Sequence, residues 1–431
     1  MVVAEINIWD KYVGAVLWDA QASVASFEYD PGFIRNNWDI APLTMPLPDA
    51  RNGRKFSFPN LPAHAYYGLP SLLADSLPDK FGNQLIEVWL AMQGRQPGSM
   101  NPVERLCYMG KRGMGALEFH PATRIERSTS NSLEVSELVN LAQKAVNRKT
   151  ELKTNFTGDE AHALLDIIRV GTSAGGARAK AVIAINKQNT VKSGQLDIPE
   201  GYSHWLIKLD GVSNEQLGDP KGYGRIEFAY YKMALDSGII ISESRLLEEN
   251  GRAHFMTRRF DRIEHNKKIH MQTLCGLCHF DYNNPNAYAY EQAFQAMRSL
   301  RLPYSDAEQL FRRMVFNVIS QNNDDHTKNI SFLMDQTGQW SLSPAYDLTY
   351  AYNPSNIWLA QHQLSINNKR RDITHNDLLT VAKQMNIKRA VEIIEQVQEV
   401  INNWKEYAYN AGIPQSQIKA IGSMHLVNIN Q

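Results

Sequence analysis

The sequence predicts an α+β protein, strand-rich before about residue 125 and again over 161–282, with helices dominating the remainder. Three observations predict it. Short apolar runs such as AKAVIAIN (179–186), expected to alternate between two faces, and HWLIKLD (204–210) read as strands. Turn residues punctuate them, at Pro59, Asn60 and Pro62 and again at Asn250–Gly251. From about residue 283 the apolar residues recur at helical spacing, and Ile394, Val397, Ile401 and Trp404 form the clearest stripe.

Taken in order, KFSFPNLP (55–62) is a turn, and Leu85, Val88, Trp89 and Met92 mark a helix. YMGKRGMGALEF (108–119) is a glycine-rich turn leading into a strand. A polar stretch over 126–160 flanks a helix from about 133 to 147 and reads as the connector between domains. GTSAGGARAK (171–180) is a loop before a strand. WLIKLD is a second strand, and a helix follows around 227–238. Two short strands meet at Asn250–Gly251. Ser305 to Glu308 form a capping box expected to open a helix through Leu310, Phe311, Met314, Val315 and Val318. The expected divisions are 1–125, 126–160, 161–282 and 283–431.

Composition excludes several function classes. Of 431 residues, 45 are Lys or Arg and 45 are Asp or Glu. That balance argues against a whole-chain nucleic-acid or membrane footprint, although a local basic patch remains compatible with it. With 43% hydrophobic and 21% charged residues, the chain has the profile of a folded domain protein. Three cysteines cannot build a disulfide framework. Glu5, Asp10 and Lys11 interrupt the N-terminal apolar run, so no export signal or membrane span is read and the cytoplasm is the expected compartment.

The segment 320–348 carries the most chemistry. Asp324, Asp325, His326 and Lys328 crowd together after a helix, and the strand pair ISFLM and QWSLS then leads to Asp347. Asp324 and Asn329 stand five apart, the interval between the base Asp and the metal-binding Asn of a kinase catalytic loop. Phosphoryl transfer needs a carboxylate to orient a hydroxyl, and an amide oxygen and a second carboxylate to hold magnesium. A solvated polar turn would also be rich in Asp and Asn, but the order of helix, loop, hairpin and carboxylate favours the chemical reading. Spacing favours Asp324 over Asp325 as the base, and both stay open.

Other segments are more ambiguous. In GTSAGGARAK, glycines and successive N–H groups suit a phosphate. Gly171, Ser173 and Gly175 also match G-x-S-x-G, a hydrolase elbow that requires a helix after the serine. Lys208 sits in an apolar strand and Glu227 opens a helix nineteen residues on, similar to a kinase lysine–glutamate pair. CGLCH (275–279) has the haem-attachment pattern without an export signal, and it lacks a nearby fourth zinc ligand, so Cys275, Cys278 and His279 are expected in or near the core. Lys369, Arg370 and Arg371 are the sharpest basic cluster, which reads as a solvated face or a phosphate contact.

Together these residues resemble the HipA family of bacterial serine/threonine kinase toxins, along nearly the whole chain. The resemblance rests on LADSLPDKFGN (73–83), the glycine turn at 110–116, and Ser173, Gly176 and Lys180 at S-x-x-G-x-x-x-K. RRFDR (258–262), Asp324 to Asn329, and L-S-P-x-Y-D (342–347) complete it. It implies a small β-rich N-terminal subdomain followed by an atypical kinase-like fold, with a β-rich N-lobe and an all-helical C-lobe.

It further implies Asp324 as catalytic base and Asn329 and Asp347 as magnesium ligands. ATP would be bound by Gly175, Gly176, Ala177, Arg178, Ala179, Lys180 and Lys208, with Glu227 paired to Lys208. Arg258, Arg259 and Phe260 would line the adenine site, and His326, Lys328 and Tyr346 would contact nucleotide or order the loop. Ser173 would be the autophosphorylated, self-inactivating serine. The implied partners are a HipB-like helix-turn-helix antitoxin dimer and, mainly through it, operator DNA, with Lys369 to Arg371 in a region that touches DNA. The implied substrate is a cellular protein such as glutamyl-tRNA synthetase. The rival functional class is a catalytically idle co-repressor.

Overall fold

The computed structural model describes residues 2–36, 38–122, 133–147, 167–168, 171, 178–212, 222–264 and 266–429. The first sheet contains β1 (Val2–Ile8), β2 (Lys11–Asp19), β3 (Val24–Tyr29), β4 (Phe56–Ser57) and β5 (Leu117–His120), in the order β4-β3-β2-β1-β5. Its pairs are antiparallel. Alternation along β1 puts Ala4, Ile6 and Ile8 on the buried face, where they join a core containing Phe27, Phe56, Leu72 and Leu106.

The second sheet contains β6 (Lys180–Asn186), β7 (Val191–Ser193), β8 (Tyr202–Lys208), β9 (Ser244–Glu249) and β10 (Arg252–Arg258), in the order β7-β6-β8-β10-β9. β6 was expected to alternate, yet it is buried at every position except its last. The helices Lys80–Met92 and Val135–Asn147 explain the difference, because Leu85, Ile86, Leu138 and Ala142 share a core with Ala181, Ile183, Trp205 and Ile207. An amphipathic helix has to bury its stripe, and these two bury theirs on the second sheet. The helix read with residues 1–125 and the helix read within the connector therefore both contribute to the 161–282 lobe.

Helices Tyr223–Asp236, Tyr290–Ser299, Tyr304–Ser320, His375–Met385, Ala390–Asn402, Trp404–Asn410 and Gln415–Gly422 share a third core. The expected stripe of Ile394, Val397, Ile401 and Trp404 is buried within it. The capping box at Ser305–Glu308 does not form. That helix starts at Tyr304 behind Pro303 without a side-chain cap, and Asp306 instead accepts the N–H of Leu342 at 2.8 Å. The remaining strands are β11 (Arg262–Ile263), β12 (Lys267–Lys268), β13 (His270–Thr273), β14 (Tyr288–Ala289), β15 (Ser331–Met334), β16 (Trp340–Leu342) and β17 (Leu364–Ser365). β13, β15 and β16 form a small sheet, so the hairpin expected before Asp347 stands at the edge of the helical lobe. Among the described residues no helix is long and apolar enough to cross a membrane.

Candidate active site

Helix Tyr304–Ser320 stops at Gln321, whose left-handed φ of 58° turns the chain into the polar run 322–329. The two adjacent carboxylates of that run then separate in role. Asp325 is buried and accepts hydrogen bonds from Tyr290 Oη at 2.9 Å, His362 Nδ1 at 2.9 Å and the N–H of Gln363 at 2.7 Å. Asp324 keeps a side chain 49% exposed, with His326 Nε2 3.9 Å from its Oδ1. Loss of surrounding water pushes the Asp324 carboxyl above its ordinary range; His326 opposes this, and the charges of Asp347 and Asp325 add to it.

The loop is pinned from within. Asn329 Nδ2 donates to the Asp324 carbonyl at 2.7 Å. His326 Nδ1 accepts the N–H of Lys328 at 3.2 Å and so opens the short 3₁₀ turn Thr327–Asn329. Asp325→Ala would strand three buried donors and is expected to cost on the order of 3 kcal/mol or more. Asp324→Ala should stay within about 1 kcal/mol of wild type. Urea denaturation of the two variants checks this, and equal losses would contradict the separation of roles.

Opposite the loop, β6 and β8 place Lys180 and Lys208 directly across from each other. Lys208 Nζ lies 2.5 Å from Glu227 Oε1, on the helix that follows, and also bonds Asp347. Asp347 comes just after β16 in a left-handed conformation, φ 55°. Asp and Asn tolerate that region better than most residues, and such strain clusters at functional sites.

The four groups are mutually compensated, with two ammonium and two carboxylate charges. Burial disfavours the Lys208 ammonium, but Asp347 and Glu227 override it and hold its pKa above the usual lysine value. Burial likewise opposes the Asp347 carboxylate, yet Lys208 and Lys180 bring its pKa below the ordinary range. Glu227 is raised, first by burial and then by Asp347, with Lys208 acting against both. Lys180 is lowered by burial, against the pull of Asp347.

The remaining expected residues divide into two groups. Asn329, Tyr346 and Asp347 line one narrow cavity together with Arg313 and Asp325. Tyr346 Oη donates to the Lys328 carbonyl at 2.6 Å and meets the Ser331 hydroxyl, and the Phe260 ring lies 5.6 Å from that of Tyr346. Arg178 stacks over Tyr223 at 4.0 Å, and its Nη1 is buried without a hydrogen-bond partner. Ala179 is buried, and its carbonyl accepts the N–H of Leu209. Ser173, Gly175, Gly176 and Ala177 lie outside the described residues.

Arg258 is exposed, 3.5 Å from Glu243. Arg259 is held by Asp261 and by the Gly113 carbonyl, in the seam with the first domain. Lys369 pairs with Asp377 at 2.8 Å. Arg370 donates to the carbonyls of Tyr288 and Gln363 and is half-buried, whereas Lys369 and Arg371 are exposed. Sequence reasoning did not assign Asp79, which holds Lys328, or the anchors His362, Gln363 and Tyr290. The LPDK segment was visible as a motif, but nothing local tied it to a loop some 250 residues away.

The donor set suits magnesium and a polyphosphate. A carboxylate and an amide oxygen are hard ligands for a cation that keeps substrate phosphates in its shell, and Lys180, Lys208 and the orphaned Arg178 nitrogen are counter-charges for phosphate. Among the described residues no group of three or more His, Cys, Asp or Glu could hold a metal, and Cys275 is buried against Tyr66. The chain resumes after the glycine loop as strand β6; a hydrolase elbow would require a helix there.

Known proteins match this architecture. The family model for the HipA N-terminal domain matches residues 4–120, and that for the HipA-like C-terminal domain matches residues 172–404. The solved Shewanella oneidensis toxin–antitoxin complex of HipA, HipB and operator DNA contains a chain that superposes with a TM-score of 0.67. The two are 15% identical, and the match covers 99% of this chain and 98% of that one. A curated Haemophilus influenzae protein, whose name proposes a kinase, is 25% identical over 134 residues, 28% of this chain. That stretch spans 39% of the relative's own length.

Proposed function

Because the chain belongs to the HipA family, we propose that it is an ATP-dependent toxin kinase that transfers the γ-phosphate to a serine or threonine of a cellular protein. The observation that carries this reading is the Lys208–Glu227–Asp347 cluster, whose Asp347 lines one cavity with Asn329 and whose Asp347 and Lys208 charges act on Asp324. In it, Asp324 orients the substrate hydroxyl and accepts its proton as the oxygen attacks the γ-phosphorus and the bond to ADP breaks. Its raised pKa brings it closer to the operating range of a general base. Lys208, steadied by Glu227, binds the α and β phosphates, and Lys180 adds positive charge beside it. Asn329 and Asp347 would hold Mg²⁺, which supplies neutralisation of the transferring phosphate's charge. Asp325 takes no proton in this scheme, because its oxygens are occupied by Tyr290, His362 and Gln363.

The same reading makes Ser173 a self-inactivation site. A phosphate there adds about −1.5 to −2 charge to a loop that must close over ATP phosphates. The partners would be a helix-turn-helix antitoxin dimer and, through it, operator DNA, since the related Shewanella chain was solved with both. The cytoplasm is the fitting compartment for that assembly.

The test is incubation with magnesium and radiolabelled ATP beside Asp324→Ala, with the label mapped by mass spectrometry. Label on Ser173 in wild type alone is expected. Equal labelling of both proteins would move the base elsewhere. No label in either, with ATP bound and Ser173 unmodified, would favour the idle co-repressor.

A further inference from the structure

Asp79 begins the helix Lys80–Met92 at its N-cap. An aspartate there ordinarily caps its own helix, but Asp79 makes no side-chain cap bond. Its Oδ1 instead meets Lys328 Nζ at 2.5 Å, with the two side chains 19% and 17% exposed. The same ammonium stands 4.3 Å from the centroid of the Tyr282 ring. A cation this enclosed requires a counter-charge.

Lys328 is also the residue next to Asn329, and its backbone is fastened on both sides. Its N–H goes to His326, and its carbonyl receives the Tyr346 hydroxyl one residue from Asp347. Asn329 in turn grips the Asp324 carbonyl. A second fastening lies one turn away. Asp75 accepts the N–H and the hydroxyl of Thr273, both at 2.7 Å. Gly276 lies so close that a Cβ there would stand 2.7 Å from an Asp75 oxygen. The segment 75–79 is therefore wedged between β13 and the catalytic loop.

We infer that Asp79 is a positioning residue for phosphoryl transfer: through Lys328 it sets where Asn329 and the Asp324 backbone sit, so the segment preceding helix Lys80–Met92 completes the active site of the kinase lobes. The inference rests on the proposed roles of Asn329 and Asp324. Among the described residues Asp79 is the carboxylate within ion-pair distance of Lys328, with Asp75 acting on it from farther off, so without the Asp79 charge the loop loses the strut that fixes its metal-side residue. The consequence falls on chemistry and on magnesium demand, since neither Asp79 nor Lys328 has to touch the adenine or the ribose for the strut to work.

The experiment measures self-phosphorylation by the full chain at varied ATP and Mg²⁺ for wild type, Asp79→Asn and Asp79→Glu, with hydrogen exchange on the same samples. Asp79→Asn is expected to lower the first-order rate constant of self-phosphorylation at saturating ATP by about tenfold to a hundredfold. It should raise the half-saturating Mg²⁺ concentration and leave KM for ATP at saturating Mg²⁺ near wild type. Asp79→Glu, which keeps the charge, should recover part of both losses. Exchange should quicken over 324–334 while β1 and β8 keep their protection.

An unchanged rate constant and Mg²⁺ dependence in folded Asp79→Asn would overturn the inference, as would quickened exchange spread evenly over the chain. If Asp79→Asn does not fold, Asp79→Glu carries the test, and a wild-type Mg²⁺ dependence with wild-type exchange at 324–334 overturns it. If wild type itself transfers no phosphate, the kinase reading fails separately. The exchange pattern then decides whether Asp79 holds the loop.

Discussion

Asp347→Asn is expected to slow phosphoryl transfer by roughly 10²–10³-fold, the loss typical of removing one preorganised electrostatic group, without unfolding the protein. Asparagine keeps the shape and also tolerates the left-handed backbone at φ 55°, so the substitution isolates the charge. Lys208 keeps its bond to Glu227, which limits the structural penalty. The loss follows from the position of the carboxylate, which lines the same cavity as Asn329 and stays ionised because Lys208 and Lys180 face it. Steady-state phosphorylation beside a thermal melt checks this. A variant that keeps more than about a tenth of the rate, a loss of under 1.4 kcal/mol, would remove Asp347 from the metal-holding role.

The second large effect is on stability. Asp261→Asn is expected to cost about 3–5 kcal/mol, because it leaves two buried guanidinium groups without their anion. Asp261 is fully buried and holds Arg259 and Arg262, whose side chains are 1% and 4% exposed. It also accepts the N–H of Gly115 at 2.7 Å, while the arginines donate to the Gly113 and Gly115 carbonyls. The cluster thus ties the glycine turn of the first domain to the end of the second sheet.

Burial alone would raise the Asp261 carboxyl, but Arg259 and Arg262 bring it well below the ordinary range. A depressed folded pKa means the stabilisation is complete above the unfolded value of about 3.9 and is lost as pH falls below it. Denaturant melts should therefore show a constant gap between wild type and variant at neutral pH that narrows under acid. A gap that widens on acidification, or one below about 1 kcal/mol at pH 7, would contradict the account.

The two aspartates mark the limit of what local pattern conveys. For Asp347, the order of helix, polar loop, hairpin and carboxylate was readable because each member is close in sequence to the next. The pairing of Lys208 with Glu227 was readable for the same reason, as a strand and the helix after it. Arg259 was not. RRFDR gave the residue types, but whether each arginine faces the nucleotide cleft or the domain seam depends on which surface packs behind β10, and periodicity does not record that.

By itself, the sequence determined the α+β class, the order of polar loop, hairpin and carboxylate from Asp324 to Asp347, the strand lysine with its helix glutamate, and the resemblance to the HipA family. These are features of short-range order, where spacing fixes which side chains share a face. The tertiary structure alone decided that Asp325 is an anchor and Asp324 the open carboxylate, since burial by Tyr290 and His362 comes from segments 35 and 37 residues away. It alone decided that helices Lys80–Met92 and Val135–Asn147 complete the second sheet. It alone brought Asp79 to Lys328 across 249 residues. In each case a buried charge or an apolar stripe had to find a partner, and the partner was set by the packing of whole elements, which no local stretch of sequence encodes.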